Sequence, residues 1–304
     1  MLFLKPQFLW TILAAILVLS LQAQVTTISL QQDYTAGGYQ GTEDNYILEA
    51  YPIMNRGGRD ALYIGYGAPN RRYGLIRFDL STIDGTFSSV SAVRLKLVHK
   101  AHSGTWSNQP LALYRISNEN AAWYQGVQSA GNLSEDGESS WAHLAWSSIA
   151  DLQTGELLHD EWAGSPGLIT AGTDYVNAPL ATAMLSGTEV DGDVITWTFS
   201  DVSFIDGWVA NGSENAGFLL RAEGMTGSQN VLFHSSESTT PAYYPILELD
   251  LVNYQPPQMD LVNYHLGEDA RVTIAIKDSN GAIVRNLLEA AERTAGDHAE
   301  EWNG

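Results

Sequence analysis

The sequence predicts an all-β protein: a jelly-roll-like antiparallel β-sandwich followed by a partial immunoglobulin-like β unit. Three observations carry this expectation. Short runs alternate apolar and polar side chains along most of the chain, the period of half-buried strands. Clusters rich in Gly, Asn, Pro and Ser separate the runs, as at "AGGYQG", "NRGG", "GAPN" and "SGTWSNQP". Only 201–212, "DVSFIDGWVANG", shows a convincing helical period, with Val202, Ile205, Trp208 and Val209 on one face and Gly212 placed to end it.

The alternating runs follow in order. "VTTISLQ" (25–31), "NYILEAY" (45–51), "DALYIGYG" (60–67), "YGLIRFDLS" (73–81), "SAVRLKLVHK" (91–100) and "LALYRIS" (111–117) come first. "VITWTF" (194–199), "AGFLLRAE" (216–223), "NVLFHSS" (230–236) and "YPILELDLV" (244–252) come later. In "YGLIRFDLS", Leu75, Arg77 and Asp79 share one face and Ile76, Phe78 and Leu80 the other. Arg77 and Asp79 are read as residues that hold strands together, Arg77 by pairing with an acid. Residues 118–193 are too long for one loop; short strands and irregular excursions are expected there, with one turn of helix at "SSIADLQ" (147–153).

Four segments are expected. Residues 1–23 read as a signal peptide: Lys5, then the 13-residue apolar run 9–21, then Ala23. That run is short of the ~20 residues of a membrane span, so no span is expected once it is removed. Residues 24–253 form the sandwich. "YQPPQM" (254–259) reads as a linker stiffened by its prolines. In 260–304, "RVTIAIKD", a turn at Asn280–Gly281 and "AIVRNLL" read as a hairpin.

The chain has 304 residues, 15 basic and 35 acidic, for a net charge of −20. Such a field repels nucleic acid and anionic membranes. There are no cysteines, which excludes thiol catalysis and Cys-ligated metals, so a secreted chain of this kind must rely on core area. No G-x-S-x-G, H-E-x-x-H or P-loop occurs. His99 and His102 are expected on opposite faces of a strand. "HDEW" (159–162) sets a base beside two carboxylates, but with so many acids such a juxtaposition is weak evidence for glycosidase chemistry.

Arginine placement is more informative. Arg56, Arg59, Arg71, Arg72 and Arg77 lie within 22 residues, five of the 15 basic residues of the chain. Guanidinium forks grip carboxylates at two points. Tyr63, Tyr66 and Tyr73 could stack on sugar rings, and Trp106 sits in a polar loop as a further exposed aromatic. Arg56, Arg59, Arg71, Arg72, Tyr66, Tyr73 and Trp106 are therefore the candidate ligand-binding residues. Trp123, Trp141 and Trp208 are expected in the core. A structural calcium ion is the one cofactor expected, on Glu43, Asp44 and Asn45 of "GTEDNY", with Asp191 and Asp193 as a second possibility.

Residues 24–252 resemble the DNRLRE-type domain, also described as carbohydrate-binding module family 96 and related to the disaggregatase repeat. The resemblance rests on "DNYILEAYP", "GRDALYIGYG", "GLIRFDLSTI", "VSAVRLKLVH", "LALYRI", "AAWYQG", "GESSWAHLAW", "WAGSPG" with "GTDY", "FIDGWVANGSENAGFLLRAE" and "SSESTTPAYYPILELDL". It implies a secreted, non-catalytic sandwich, in some members binding acidic polysaccharides such as alginate. Residues 260–304 resemble the front half of the FlgD-like immunoglobulin fold, on "YHLGEDARVTIAIKDSNGAIVRNLL" and "AGDHAEEWNG". The expectation is a non-catalytic carbohydrate-binding protein, extracellular or at the cell surface. The alternatives are an adhesive surface module that binds no free glycan, and the non-catalytic front part of a polysaccharide-degrading enzyme.

Overall fold

A computed structural model describes residues 23–302 apart from 36–37, 105, 107, 130–131, 152, 226, 258–259 and 278–280. The apolar run 9–21 and the turn at Asn280 lie outside the described residues. The protein is almost entirely antiparallel β-structure. The strands are β1 (Val25–Gln31), β2 (Thr42–Leu48), β3 (Ala61–Gly65), β4 (Arg72–Phe78), β5 (Ser89–Ser103), β6 (Gln109–Arg115), β7 (His143–Ala145), β8 (Asp160–Glu161), β9 (Ala181–Leu185) and β10 (Val194–Thr198). They continue with β11 (Phe218–Ala222), β12 (Asn230–His234), β13 (Ile246–Val252), β14 (Asp260–Leu266), β15 (Ala270–Lys277), β16 (Ile283–Arg293) and β17 (Gly296–Trp302). The helical period at 201–212 yields one short helix, α1 (Ile205–Ala210), which buries Ile205 and Trp208.

Eleven strands form one curled sheet in the order β1-β13-β5-β12-β3-β4-β11-β6-β9, with β10 on β5 and β2 on β4. The 15-residue β5 makes the curl possible. Its first part pairs with β13 and β10; its last part pairs with β12 across a register shift. One long strand thus passes from one layer into the other, and bulges are the usual device for such a bend.

Alternation along each strand divides the apolar residues between two cores. Val93, Leu95, Leu97, Trp197, Leu247 and Leu249 from one layer meet Leu62, Ile76, Phe78, Leu113, Phe218 and Phe233 from the other. The outward residues Ile47, Tyr73, Leu75, Tyr114 and Leu219 form a second cluster with Trp123, Trp141, Trp162, Leu168 and Tyr175. The long irregular excursion therefore covers the back of one layer, which explains why Trp123 and Trp141 are buried as expected; Trp208 is buried as well, from α1 into the main core. The buried carboxylate of Asp174 organises part of the excursion by accepting the N–H groups of Gly164 and Thr170.

The helical turn expected at 147–153 is not formed among the described residues. Asp136 takes the N–H and hydroxyl of Ser148, and an isolated bridge joins Ala150 to Leu157. Side-chain acceptors of this kind compete with helix formation.

Beyond the sandwich, β14 pairs with β17 and β15 with β16, two separate two-stranded ladders. Among the described residues none after Leu251 is buried.

Candidate functional site

Strand alternation separates the two adjacent arginines. Arg71 lies on the same side of the chain as Tyr73 and Leu75, facing the excursion. Arg72 lies on the side of Gly74, Ile76 and Phe78, at the end of the space between the layers, and is paired in register with Leu48. Arg71 is committed to structure. Its Nε and Nη2 both reach the Glu49 carboxylate, at 2.9 and 2.6 Å, and its guanidinium lies over the Trp141 ring. This two-point grip holds the Glu49 carboxyl below its ordinary range. Tyr73 is also out of reach of a ligand, 5% exposed with Trp141 beside it and Arg221 over its ring.

Arg72 has a different neighbourhood. Its guanidinium carbon lies 4.3 Å from the Tyr66 ring centre and 5.5 Å from that of Tyr63. Arg59 lies 5.5 Å from the Tyr63 ring and donates to its hydroxyl at 3.4 Å. Guanidinium and phenol thus alternate as Arg59, Tyr63, Arg72 and Tyr66. Tyr46 packs beneath, its ring 5.0 Å from that of Tyr63. Burial raises the Tyr46 hydroxyl above the usual phenol value, while Arg59, Arg56 and Arg72 act against that rise. Arg59 and Arg72 thus flank the Tyr63 ring that packs on this phenol.

Arg56 is 6% exposed; it donates to the Ser129 carbonyl and stacks on Tyr51. None of Arg56, Arg59 and Arg72 forms an ion pair with a described carboxylate, whereas Arg71, Arg77, Arg94, Arg221, Arg271 and Arg293 do. The Nε atoms of all three are buried without a hydrogen-bond partner. Arg115, over the Phe204 ring, shares this unpaired state elsewhere in the fold; what sets Arg56, Arg59 and Arg72 apart in a chain of charge −20 is that three such cations lie close in sequence around one group of tyrosines, a placement suited to an anion.

Tyr66 carries a backbone signal as well. It sits in the left-handed region at φ 59°, a conformation that costs a non-glycine residue about 1–2 kcal/mol. The N–H of Tyr66 donates to Gln229 O and that of Gly67 to Gly227 O, both at 2.9 Å. These bonds to the neighbouring loop hold the strained residue with its ring against Arg72. Gly65, at φ 137°, meets that same loop, and a Cβ there would come within 2.5 Å of the Gln229 carbonyl.

Trp106 is not an exposed aromatic: it is 4% exposed, and its indole N–H donates to the carbonyls of Ser103 and Asn230 at 3.1 and 3.0 Å. Its apolar body fills the main core while its polar edge is satisfied at the rim. Glu43, Asp44 and Asn45 do not converge on a common point, because they are consecutive on β2 and alternate in direction. Glu43 pairs with Arg77, Asn45 donates to Ser139, and Asp44 accepts the N–H of Ser236. Burial pushes the Asp44 carboxyl up to about 7. Asp191 binds His234, and Asp193 accepts the N–H of Val190 within its own turn. Among the described residues no group of three His, Asp or Glu side chains is placed to hold a metal ion.

Arg77 plays the role read from its strand. Its Nε donates to Glu43 at 2.7 Å, and its other nitrogens donate to the carbonyls of Ala121 and Trp123. Asp79 instead caps the turn that follows β4, accepting the N–H of Ser81. His99 and His102 do not lie on opposite faces. Lys100 is the extra residue of the β5 bulge, so the two rings meet at 3.2 Å between Nε2 and Nδ1.

Sequence reasoning missed Tyr46, whose alternation reads as plain core, and a surface stack of His143, Trp146 and His159. The ring centres of His143 and His159 are 4.0 Å apart, and those of Trp146 and His159 are 4.2 Å apart. "HDEW" gave half of this signal; the other half lay in "WAHLAW".

Compared with known proteins, the chain matches no protein-family model and no curated protein.

Proposed function

We propose that the protein is a non-catalytic carbohydrate-binding module for an acidic polysaccharide, acting outside the cell or at its surface, and that Arg59, Tyr63, Arg72 and Tyr66 form its binding platform with Arg56 behind them. The observation that carries this reading is the alternating stack of Arg59, Tyr63, Arg72 and Tyr66, whose two arginines have no carboxylate partner among the described residues. A uronate supplies what they lack. Its carboxylate accepts two parallel N–H bonds from a guanidinium, and the C–H face of its ring lies against a half-exposed phenol. The strained Tyr66 supports the reading, since backbone strain concentrates where a side chain must be held in place before a ligand arrives. The resemblance of residues 24–252 to DNRLRE-type domains points the same way.

Retention of the chain on gelled and insoluble polysaccharides tests this. Alginate and pectate should hold it and cellulose should not. Arg59→Ala/Arg72→Ala should release it, while Arg71→Ala should remain bound. Equal retention of both variants would remove the platform from the account.

A further inference from the structure

A second cleft, separate from the arginines, has the opposite chemistry. It is an open depression of about 420 Å³ lined by Ser134, Glu135, Asp136, Trp146 and Ser148. His159 packs on Trp146 at 4.2 Å, with His143 at its edge, so one face of the indole is already covered within the protein.

The polar lining is rich in acceptors, with the Ser134 hydroxyl able to accept or donate. Asp136 takes the N–H and the hydroxyl of Ser148 at 2.5 and 2.9 Å. With its proton directed to Asp136, Ser148 has only lone pairs to present. The Glu135 N–H is bound by Glu138 at 2.7 Å, while its own carboxylate has no described partner. Ser134 is 5% exposed and its hydroxyl oxygen is buried without a hydrogen-bond partner. A buried hydroxyl with no partner costs roughly 1–3 kcal/mol, and Ser134 is one of the residues lining the same cleft. Among the described residues no Lys or Arg side chain lines it.

An aromatic ring, two carboxylates and hydroxyl lone pairs around one space fit a ligand that offers several donors and a positive charge. An ammonium group has three N–H donors and no acceptor, and it is attracted to an indole face within ~6 Å. A uronate carboxylate would be repelled by Glu135 and Asp136.

We propose that this cleft binds an organic ammonium group, carried either by a hexosamine with a free amine or by a lysine side chain. The ammonium lies against Trp146, donates to Glu135 and Asp136, and gives the Ser134 hydroxyl its missing partner. The site stands independently of the arginine platform, since the two select ligands of opposite charge.

The experiment follows the indole N–H resonances of the ¹⁵N-labelled protein, with Trp146→Phe identifying the Trp146 signal. The probes are glucosamine hydrochloride and Nα-acetyl-lysine amide, with N-acetylglucosamine and sodium chloride as the uncharged-sugar and salt controls. A saturable shift of the Trp146 signal with either amine, half-complete on the order of 1 mM, is the expected result, and the amine that produces it identifies the source. Glu135→Gln, which breaks no described hydrogen bond of its carboxylate, should weaken that binding about tenfold. An unmoved Trp146 signal with both amines, or an equal shift with N-acetylglucosamine, would overturn the proposal.

Discussion

The guanidinium of Arg72 lies 4.3 Å from the ring centre of Tyr66, and Tyr66 holds that position with a left-handed backbone. The strain and the stacking can be separated by mutation. Tyr66→Gly removes a backbone cost of about 1–2 kcal/mol and a cation–π contact of about 0.5–2 kcal/mol. The glycine also adds backbone entropy to the unfolded chain, about 0.4–1 kcal/mol, so the melting temperature should fall by only a few degrees. Retention on an acidic polysaccharide should still fall, by about fivefold or more, because the platform loses a ring. Thermal denaturation beside affinity electrophoresis checks both halves.

Arg77 should behave in the opposite way. It ties β4 to Glu43 on β2 and to the carbonyls of Ala121 and Trp123 in the excursion. Arg77→Met leaves those acceptors unpaired in a half-buried place, which should destabilise the protein by about 2–4 kcal/mol. Polysaccharide binding below the melting transition should be unchanged. Denaturant titration of both proteins measures the loss.

The Asp44 carboxyl gives a stability term with a defined sign. Burial raises it from its ordinary 3.8 to about 7, so the folded protein holds this proton more tightly than the unfolded chain. The contribution is full below about pH 4 and is lost as the pH rises to 7 and beyond. Asp44→Asn keeps a neutral acceptor for the Ser236 N–H. Its stability relative to wild type should therefore climb between pH 4 and pH 8, by on the order of 2–4 kcal/mol. A flat difference across that range would show that Asp44 is charged in the folded protein.

His159 contributes with the other sign. Its Nδ1 accepts the Ser147 N–H at 2.9 Å, which requires the neutral ring. Burial, with His143 acting in the same direction and Glu161 against it, lowers its proton affinity. Asp160 adjoins Glu161, and Asp136 lies one residue further along the bonded segment, on Ser148. The unfolded chain protonates first as the pH falls through 6.5, so stability should drop across that range and level off below the depressed folded value. Protection of the Ser147 amide, corrected for intrinsic exchange, should fall with it. His159→Asn offers a permanent acceptor oxygen and should flatten the profile.

Much of the sandwich was legible because its strands bury one face each. Every strongly alternating run expected in 24–252 became a strand. The short β7, β8 and β9 were not legible; two or three residues, or a run as plain as "ATAML", carry too little period to stand out. Within the site, Arg59, Arg72 and Tyr66 come together around Tyr63, whereas Arg71 and Tyr73 are turned away by the same alternation that defines β4. A sequence cluster does not say which face a residue takes until strand boundaries are known to the residue. His99 and His102 make the same point, since one bulge residue reverses the expected faces. Trp106 looked exposed because its neighbours are polar, but its ring is held by carbonyls that lie next to it only in the fold.

The most direct measurement is calorimetric titration of the protein with a uronate oligosaccharide and with the same oligosaccharide after reduction of its carboxyl groups to alcohols, for wild type, Arg71→Ala and Arg72→Ala. The account predicts binding of the acidic form by wild type and Arg71→Ala, a loss of at least tenfold in Arg72→Ala, and no measurable binding of the reduced form. Equal affinity for the two oligosaccharides, or an Arg72→Ala protein that binds like wild type, would contradict it.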